Sequence, residues 1–300
     1  MSSALVSIVI PYYNKKDTIF RSVDSVIKQT YTNWELIIID DCGEDKLEIN
    51  SLPKDDRIRI LFNELNLGAA QTRQRGIENS KGVYIAFLDA DDWWGKRFLE
   101  VCTKKLLYIQ DCAGCYVNII EVKNGEEKKR SKRLGLSNIL NTNIAYRRPW
   151  QTSGILWRKS VVGSWGVLKT HEDSWFEVMT SKNNNVLVYA EDEYCFYDQV
   201  GNNHLSSLTS TPDATLNQQK LFIMIYKEFW KCLDFKHKVI LYHRLIRGQL
   251  KIFEYCPEFS SEMGNILMKL NPYLFWIRNQ IFTMKVIRYF LKRSNYKIKF

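Results

Sequence analysis

Four unbroken apolar runs, Leu5–Pro11, Trp34–Ile39, Ile58–Phe62 and Val83–Leu88, alternate with stretches of helical spacing in the N-terminal third of the chain. Between them, Lys16–Gln29 puts Ile19, Val23, Val26 and Ile27 on one helical face, and Ala69–Asn79 reads as a second helix. A strand with one wet face alternates apolar and polar residues; a strand apolar throughout is covered on both sides. The pattern therefore predicts an α/β fold with a mostly parallel, Rossmann-like sheet and flanking helices. In such sheets ligands collect beyond the carboxyl ends of the strands. Three of those ends are polar here: Pro11-Tyr12-Tyr13-Asn14, Asp40-Asp41 and Asp89–Asp92. Their coincidence argues for a single site.

The third end is the most informative. Val83–Leu88 runs directly into Asp89-Ala90-Asp91-Asp92-Trp93-Trp94. Carboxylates this close repel one another unless a cation sits among them. Oxygen-only ligands suit Mg²⁺ or Mn²⁺, which also take phosphate oxygens from a substrate. The competing reading is an acidic turn with Asp92 as a helix N-cap, although a cap needs only one such residue. Asp40 and Asp41 present a similar choice. A carboxylate there can accept a hydrogen bond from a base or a ribose, or it can simply shape the turn before Gly43. No G-x-G-x-x-G follows the first strand and no G-x-x-x-x-G-K-[ST] occurs, so dinucleotide and P-loop sites are excluded. A diphosphate would then need a metal and basic side chains, with Arg73 and Arg75 of the second helix as candidates.

Further along, a helix (Lys96–Ile109), a strand (Gly114–Val122) and a charged turn (Lys123–Arg133) are expected. Arg147–Trp157 and Val161–Lys169 read as loop or strand, a helix begins near Glu172, and strands follow at Val186–Tyr189 and Glu193–Tyr197. His171-Glu172-Asp173 opens that helix. Two acids favour a helix N-terminus electrostatically, and on the residues alone that is the plainer reading; a general base is the alternative. Trp93, Trp94, Trp150 and Trp157 surround these segments in sequence, and tryptophan serves sugar-stacking and core packing alike. Trp93 and Trp150, with Asp92, are the candidates for an acceptor groove.

Charge enters through its location. The net charge is +10, but residues 263–300 hold eight Lys/Arg and no acid, leaving the rest nearly balanced at 35 basic and 33 acidic residues. From Thr209 onward the pattern is helical and aromatic-rich. A basic helix of this kind suits an anionic membrane surface; a solvated helix is the plainer alternative, and no nucleic-acid module accompanies it, so no nucleic acid is expected as a partner. No stretch approaches the roughly 18 apolar residues that span a bilayer, and no leader sequence is apparent. Seven scattered cysteines suit reduced thiols, and Cys112-Ala113-Gly114-Cys115 lacks the second pair of a zinc site. The expected location is the cytoplasm, peripheral on the inner face of the cell membrane.

Val6-Ser7-Ile8-Val9-Ile10-Pro11-Tyr12-Tyr13-Asn14 resembles the opening of glycosyltransferase family 2. Ser25–Tyr31, Trp34–Asp41, Asn66-Leu67-Gly68 through Arg73, and Gly82–Asp92 continue the resemblance, with Thr72 and Gln74 departing from it. It covers residues 5–110 well and thins toward residue 207. The resemblance implies a GT-A fold, a nucleotide-sugar donor of the UDP kind, Mn²⁺ or Mg²⁺, and inversion at the anomeric carbon. Transferred by position, Pro11, Tyr13 and Asp41 would line the base pocket, with Arg73 near the donor. Asp89 would face the ribose, and Asp91, with Asp89, would hold the cation. Asp173 is similar to the family's catalytic Asp, with Glu172 beside it, although sequence does not decide which takes the proton. Tyr197 through Ser207 resembles a Y-R-x-H-x-x-S segment, with Asp198 departing, and makes His204 a candidate cation ligand. The expected organisation is a catalytic domain over 1–208, in a donor part (1–110) and an acceptor part (111–208), followed by a membrane-associating helical region over 209–300. The expected acceptor is a lipid-linked saccharide of bacterial surface polysaccharide (O-antigen, capsule or lipooligosaccharide). The rival readings are a nucleotidyltransferase and a non-catalytic sugar- or lipid-binding module.

Overall fold

The computed structural model describes residues 3–130, 135–145, 148–166, 168–199, 211–252 and 256–270. It divides into two compact units, Met1–Leu208 and Thr209–Phe300. The first unit begins with β1 (Val6–Tyr12), α1 (Lys16–Ile27), β2 (Trp34–Asp40), β3 (Ile58–Phe62), α2 (Gly68–Asn79) and β4 (Tyr84–Phe87). There follow β5 (Trp93–Trp94), α3 (Phe98–Tyr108), β6 (Gly114–Lys123), β7 (Glu126–Lys129), β8 (Leu136–Asn138) and α4 (Ile139–Ala145). It ends with β9 (Ile155–Arg158), α5 (Glu172–Thr180) and β10 (Val186–Asp198).

The strands form one sheet in the order β3-β2-β1-β4-β9-β6-β10-β5, with β7 on β6 and β8 on β10. β3, β2, β1 and β4 are parallel, β9 runs antiparallel between β4 and β6, and β10 is parallel to β6. The N-terminal half is thus the parallel sheet that the apolar runs predict. Its residues alternate between two cores. Val6, Ile8, Ile10 and Tyr12 of β1 pack with Leu36, Ile38 and the α1 and α3 faces. Val9 packs on the other side with Ile37, Ile39, Ile85, Phe87 and Phe176. Burial on both sides is why no polar alternation appears.

Register sets the strand ends level. Tyr12 lies opposite Asp40, and Asp40 opposite Phe62. Val9 lies opposite Phe87, and the Leu88 N–H donates to the Val9 carbonyl at 3.0 Å. Pro11–Asn14, Asp40–Asp41 and Asp89–Asp92 therefore follow one another along a single sheet edge. α2 crosses close to β1 because position 76 is glycine: a Cβ there would stand 2.3 Å from Val9 Cγ1.

One alternative reading drops out and two local expectations change. Asp92 caps no helix, because Trp93 and Trp94 form β5 and α3 starts only at Phe98. The two late strands are one, β10, with its register shifted between Ala190 and Tyr194. β8 and α4 occupy a segment given no element from sequence. The second unit contains α6 (Pro212–Phe229), α7 (Phe235–Ile252) and α8 (Pro257–Leu270). Thr211 caps α6 through its hydroxyl, with Pro212 in the first turn. Residues 271–300, most of the basic tail, lie outside the described residues.

Candidate active site

The acidic turn is held from three directions. The Asp92 N–H donates to the Asp89 carbonyl at 3.0 Å, closing the turn. From β10, the Asp198 N–H donates to Asp92 Oδ1 at 3.1 Å. Ser153 Oγ accepts the Asp89 N–H at 3.1 Å and donates to Asp92 Oδ2 at 2.5 Å. Ser22 of α1 donates to the Asp92 carbonyl at 2.6 Å. Asp92 is 1% exposed, and burial, then the neighbouring charges of Asp89 and Asp91, push its carboxyl well above the usual range. It is an anchor inside the turn, and the acceptor role expected for it does not match this burial.

With Asp92 turned inward, Asp89 and Asp91 supply the remaining carboxylates of the turn, each in an ion pair. Asp91 Oδ2 lies 2.8 Å from Lys15 Nζ. Arg21 of α1 donates to the Asp91 carbonyl at 2.6 Å and to Asp198 Oδ2 at 2.5 Å. Its guanidinium sits 3.8 Å from the Trp93 ring centroid, and Trp93 lies parallel to Phe196 at 5.1 Å. Trp93 is half-buried and already engaged by these two neighbours.

Arg73 connects this turn to a distant segment. Its side chain, 5% exposed on α2, reaches Asp89 Oδ1 at 2.6 Å and stands 3.5 Å from Glu172 Oε1. The ring of Trp165 lies 4.8 Å from it. Glu172 and Asp173 form the first turn of α5, and His171 before them adopts a left-handed conformation, φ 60°. Arg148 grips the far side, with Asp173 Oδ2 at 2.6 Å and Glu177 Oε1 at 2.9 Å. The two adjacent acids diverge as a result. Burial, reinforced by the Asp173 charge, raises the Glu172 carboxyl to about 7, although Arg73 opposes this. Burial would also raise Asp173, but Arg148 outweighs it and holds that carboxyl below its ordinary value. Neighbouring carboxyls pushed in opposite directions are a signature of acid–base sites, although structural ion pairs produce it too.

At the end of β2, Asp41 is buried and both its oxygens are engaged. Oδ1 accepts from Asn63 Nδ2 at 2.7 Å and the Leu67 N–H at 2.8 Å; Oδ2 accepts from the Gly68 N–H at 2.8 Å. Asp41 thus fastens the loop that enters α2, and Arg73 stands on that helix's second turn. Tyr13, 47% exposed, and the half-buried Pro11 lie beside it at the end of β1. Trp150 is 1% exposed and packs edge-on against Tyr116 at 5.2 Å. It is core, which corrects its placement in an acceptor groove; aromatic content alone does not reveal which way a ring points. His204 lies outside the described residues.

Sequence reasoning passed over Lys15, Arg21, Arg148, Ser153 and Asp198. Lys15 directly follows a polar strand end and carried a readable signal. Ser153 and Arg148 carried none, because their partners are remote in sequence. No group of three or more His, Cys, Asp or Glu able to hold a metal occurs among the described residues. Among the described residues the donor set fits a cation held by one or two carboxylates together with substrate phosphates, the usual manner of Mg²⁺, rather than a cage of protein ligands.

A mostly parallel sheet flanked by helices, with acids at its carboxyl edge, agrees with the GT-A fold that the sequence resemblance implies. Structural comparison agrees: a crystal structure of S. aureus TarS residues 1–349 superposes with a TM-score of 0.63 at 19% identity, covering 98% of this chain and 93% of that one. The same protein in complex with UDP-GlcNAc gives 0.62 at 18% identity over the same shares. The glycosyl transferase family 2 profile matches residues 7–162, just over half of the sequence, and the chain belongs to that family. Among curated relatives, UDP-Glc:alpha-D-GlcNAc-diphosphoundecaprenol beta-1,3-glucosyltransferase WfgD of Escherichia coli is 44% identical over 108 residues, 36% of this chain and 43% of that protein. WfaP of Escherichia coli, with the same described activity, is 48% identical over 91 residues, 30% of this chain and 36% of that protein. The chain spans less than half the length of these relatives.

Proposed function

We propose that the chain is an inverting, metal-dependent glycosyltransferase that moves one sugar from a UDP-sugar to a lipid-linked saccharide in bacterial surface polysaccharide synthesis. The observation that carries this reading is Arg73, which stands between Asp89 at the end of β4 and Glu172 at the start of α5. Through it, the proposed donor edge is joined to the acidic pair that contains the candidate base. The family membership, and relatives whose names specify a UDP-sugar donor and a diphosphoundecaprenol-linked acceptor, support the substrate classes.

Pro11 and Tyr13 bound the nucleotide base in this reading, and Asp41 fixes the loop beside it. Asp89 faces the ribose and Asp91 holds Mn²⁺ or Mg²⁺ beside the diphosphate. The bound cation supplies Lewis-acid stabilisation of the departing nucleoside diphosphate. Asp173, held ionised and oriented by Arg148, accepts the proton of the acceptor hydroxyl as its oxygen attacks the anomeric carbon. The nucleoside diphosphate leaves from the opposite face, which inverts that centre. Glu172 and Arg73 orient the sugar and keep the cleft's charges balanced. Residues 1–208 form the catalytic domain; residues 209–300, with the basic segment 263–300, rest on the cytoplasmic face of an anionic membrane, where a lipid-linked acceptor resides.

Asp173→Asn tests the assignment. Transfer is expected to fall by about 10²- to 10⁴-fold, the range for losing a general base, while calorimetric UDP binding with Mn²⁺ stays within about twofold. Full activity in that variant removes Asp173 from the chemistry, and a wild-type protein that binds no UDP-sugar overturns the whole reading. One observation favours a second assignment: Glu172, raised to about 7, is closer in strength to the ideal base at neutral pH.

A further inference from the structure

We propose that Lys15 is the counter-ion of Asp91 in the donor-free protein and moves onto the donor diphosphate when a divalent cation takes Asp91, so that cation and nucleotide enter together. The proposal rests on the donor reading above and adds a residue and a binding order to it.

The position of Lys15 is fixed by its surroundings. It is the N-cap residue of α1, directly after Asn14, whose backbone is left-handed at φ 50°. Asn14 Oδ1 accepts the Glu44 N–H at 2.7 Å and the Asp45 N–H at 3.3 Å, pinning the turn to the loop beyond β2. From this fixed base the lysine stem carries Nζ to 2.8 Å from Asp91 Oδ2, with side-chain exposures of 23% and 11%. The pair is shielded enough for its charges to matter and open enough to be exchanged.

Every acid of the turn already has a partner. Asp89 Oδ1 is paired with Arg73, Asp91 with Lys15, and the Asp92 oxygens accept from Ser153 and the Asp198 N–H. A metal arriving alone competes with Lys15 for Asp91, and the described residues gather no cage of protein ligands for it in return. A divalent cation held by Asp91 would put two positive centres on one carboxylate while the ammonium stays there. They repel, and the ammonium leaves. The diphosphate changes this balance: it brings oxygen ligands for the metal and new negative charge for the lysine. A lysine is suited to the exchange because its ammonium is a point charge on a flexible stem, without the fixed fork geometry of arginine.

Mn²⁺ titration followed by electron paramagnetic resonance, with and without UDP, tests the proposal in wild type, Lys15→Ala and Lys15→Arg; thermal unfolding checks that each is folded. Wild type is expected to bind free Mn²⁺ weakly and Mn²⁺ with UDP well. Lys15→Ala is expected to bind free Mn²⁺ about tenfold more tightly and Mn²⁺–UDP about tenfold more weakly, the scale of one charge-assisted contact in each case. Lys15→Arg should restore most of the UDP affinity. Free Mn²⁺ affinity unchanged in Lys15→Ala overturns the proposal, as does unchanged or tighter Mn²⁺–UDP binding. If folded wild type binds no UDP with or without metal, the donor reading fails and this proposal with it. That result is distinct from a wild type that binds UDP normally while Lys15→Ala behaves identically, which sinks the lysine alone.

Discussion

Asp92 and Glu172 show how much a neighbourhood decides at the scale of one residue. Three aspartates in four positions are chemically equal in the sequence; Ser153, 61 positions away, and the Asp198 backbone turn one of them inward. The acidic turn was legible from the chain, but which acid anchors it was not. Glu172 and Asp173 are separated in the same way by Arg148, whose partners no spacing rule finds. Their opposite shifts make a measurable difference. Glu172 has a raised carboxyl in the fold, so its ionisation opposes folding above the ordinary carboxylate value, and the penalty grows until about pH 7. Glu172→Gln removes that penalty. The variant is expected to gain on wild type by a few degrees in Tm as pH rises from about 5 to 8, with little relative change below pH 5. Thermal unfolding across pH checks this, and a constant difference would place Glu172 among ordinary exposed carboxylates. Activity carries a separate sign. A base must be ionised, so with Asp173, whose carboxyl is held below its ordinary value, kcat/KM stays level into the acid range; with Glu172 it declines below about pH 7.

Among the elements, α2 does the most to assemble the site, and Gly76 lets it do so. The strands of the parallel half were readable because burial on both faces leaves an unbroken apolar signature, and α1 and α2 because their faces repeat at helical spacing. β8, α4 and β5 were not readable: Leu136–Asn138 and Trp93–Trp94 are too short to carry a period, and they exist because neighbouring strands pair with them. Gly76 carried no sequence signal of its own, as a glycine inside a helical pattern ordinarily only weakens it. Here its missing Cβ admits Val9, whose Cγ1 and Cγ2 would lie 2.3 and 2.7 Å from the added carbon. Gly76→Ala must push α2 away from β1 or force Val9 off its rotamer, at an expected cost of about 1–3 kcal/mol. Because Arg73 is one turn earlier on the same helix, UDP binding is expected to weaken too. Adding Val9→Ala makes room again. In urea unfolding, the double variant should be more stable than the two single losses predict by about 1 kcal/mol, the range for residues in contact. Strict additivity would mean that the helix is not seated on that side chain.

Over the whole molecule, charge is distributed less evenly than its near balance outside residues 263–300 suggests. α7 contains Lys236, Lys238, Arg244, Arg247 and Lys251 and no acid. Lys236, His243, Arg247 and Lys251 are exposed, together with Phe235 at 83% and Val239 at 38%. No helix among the described residues is long and apolar enough to cross a membrane, and an exposed basic face with apolar neighbours is the kind of surface that binds an anionic leaflet. The proposed membrane role therefore extends from the tail to α7. Each cation near an anionic leaflet contributes about 1 kcal/mol, screened by salt. The full chain is expected to co-sediment with vesicles containing phosphatidylglycerol and not with neutral phosphatidylcholine vesicles, and raising salt from about 0.1 to 0.5 M should release most of it. Reversing Lys236, Arg247 and Lys251 to Glu separates the helix from the tail: a fall of about 100-fold or more in partitioning assigns a share to α7. Unchanged binding would leave the work to residues 263–300, and equal binding to neutral vesicles would mean that this positive surface serves something other than a lipid bilayer.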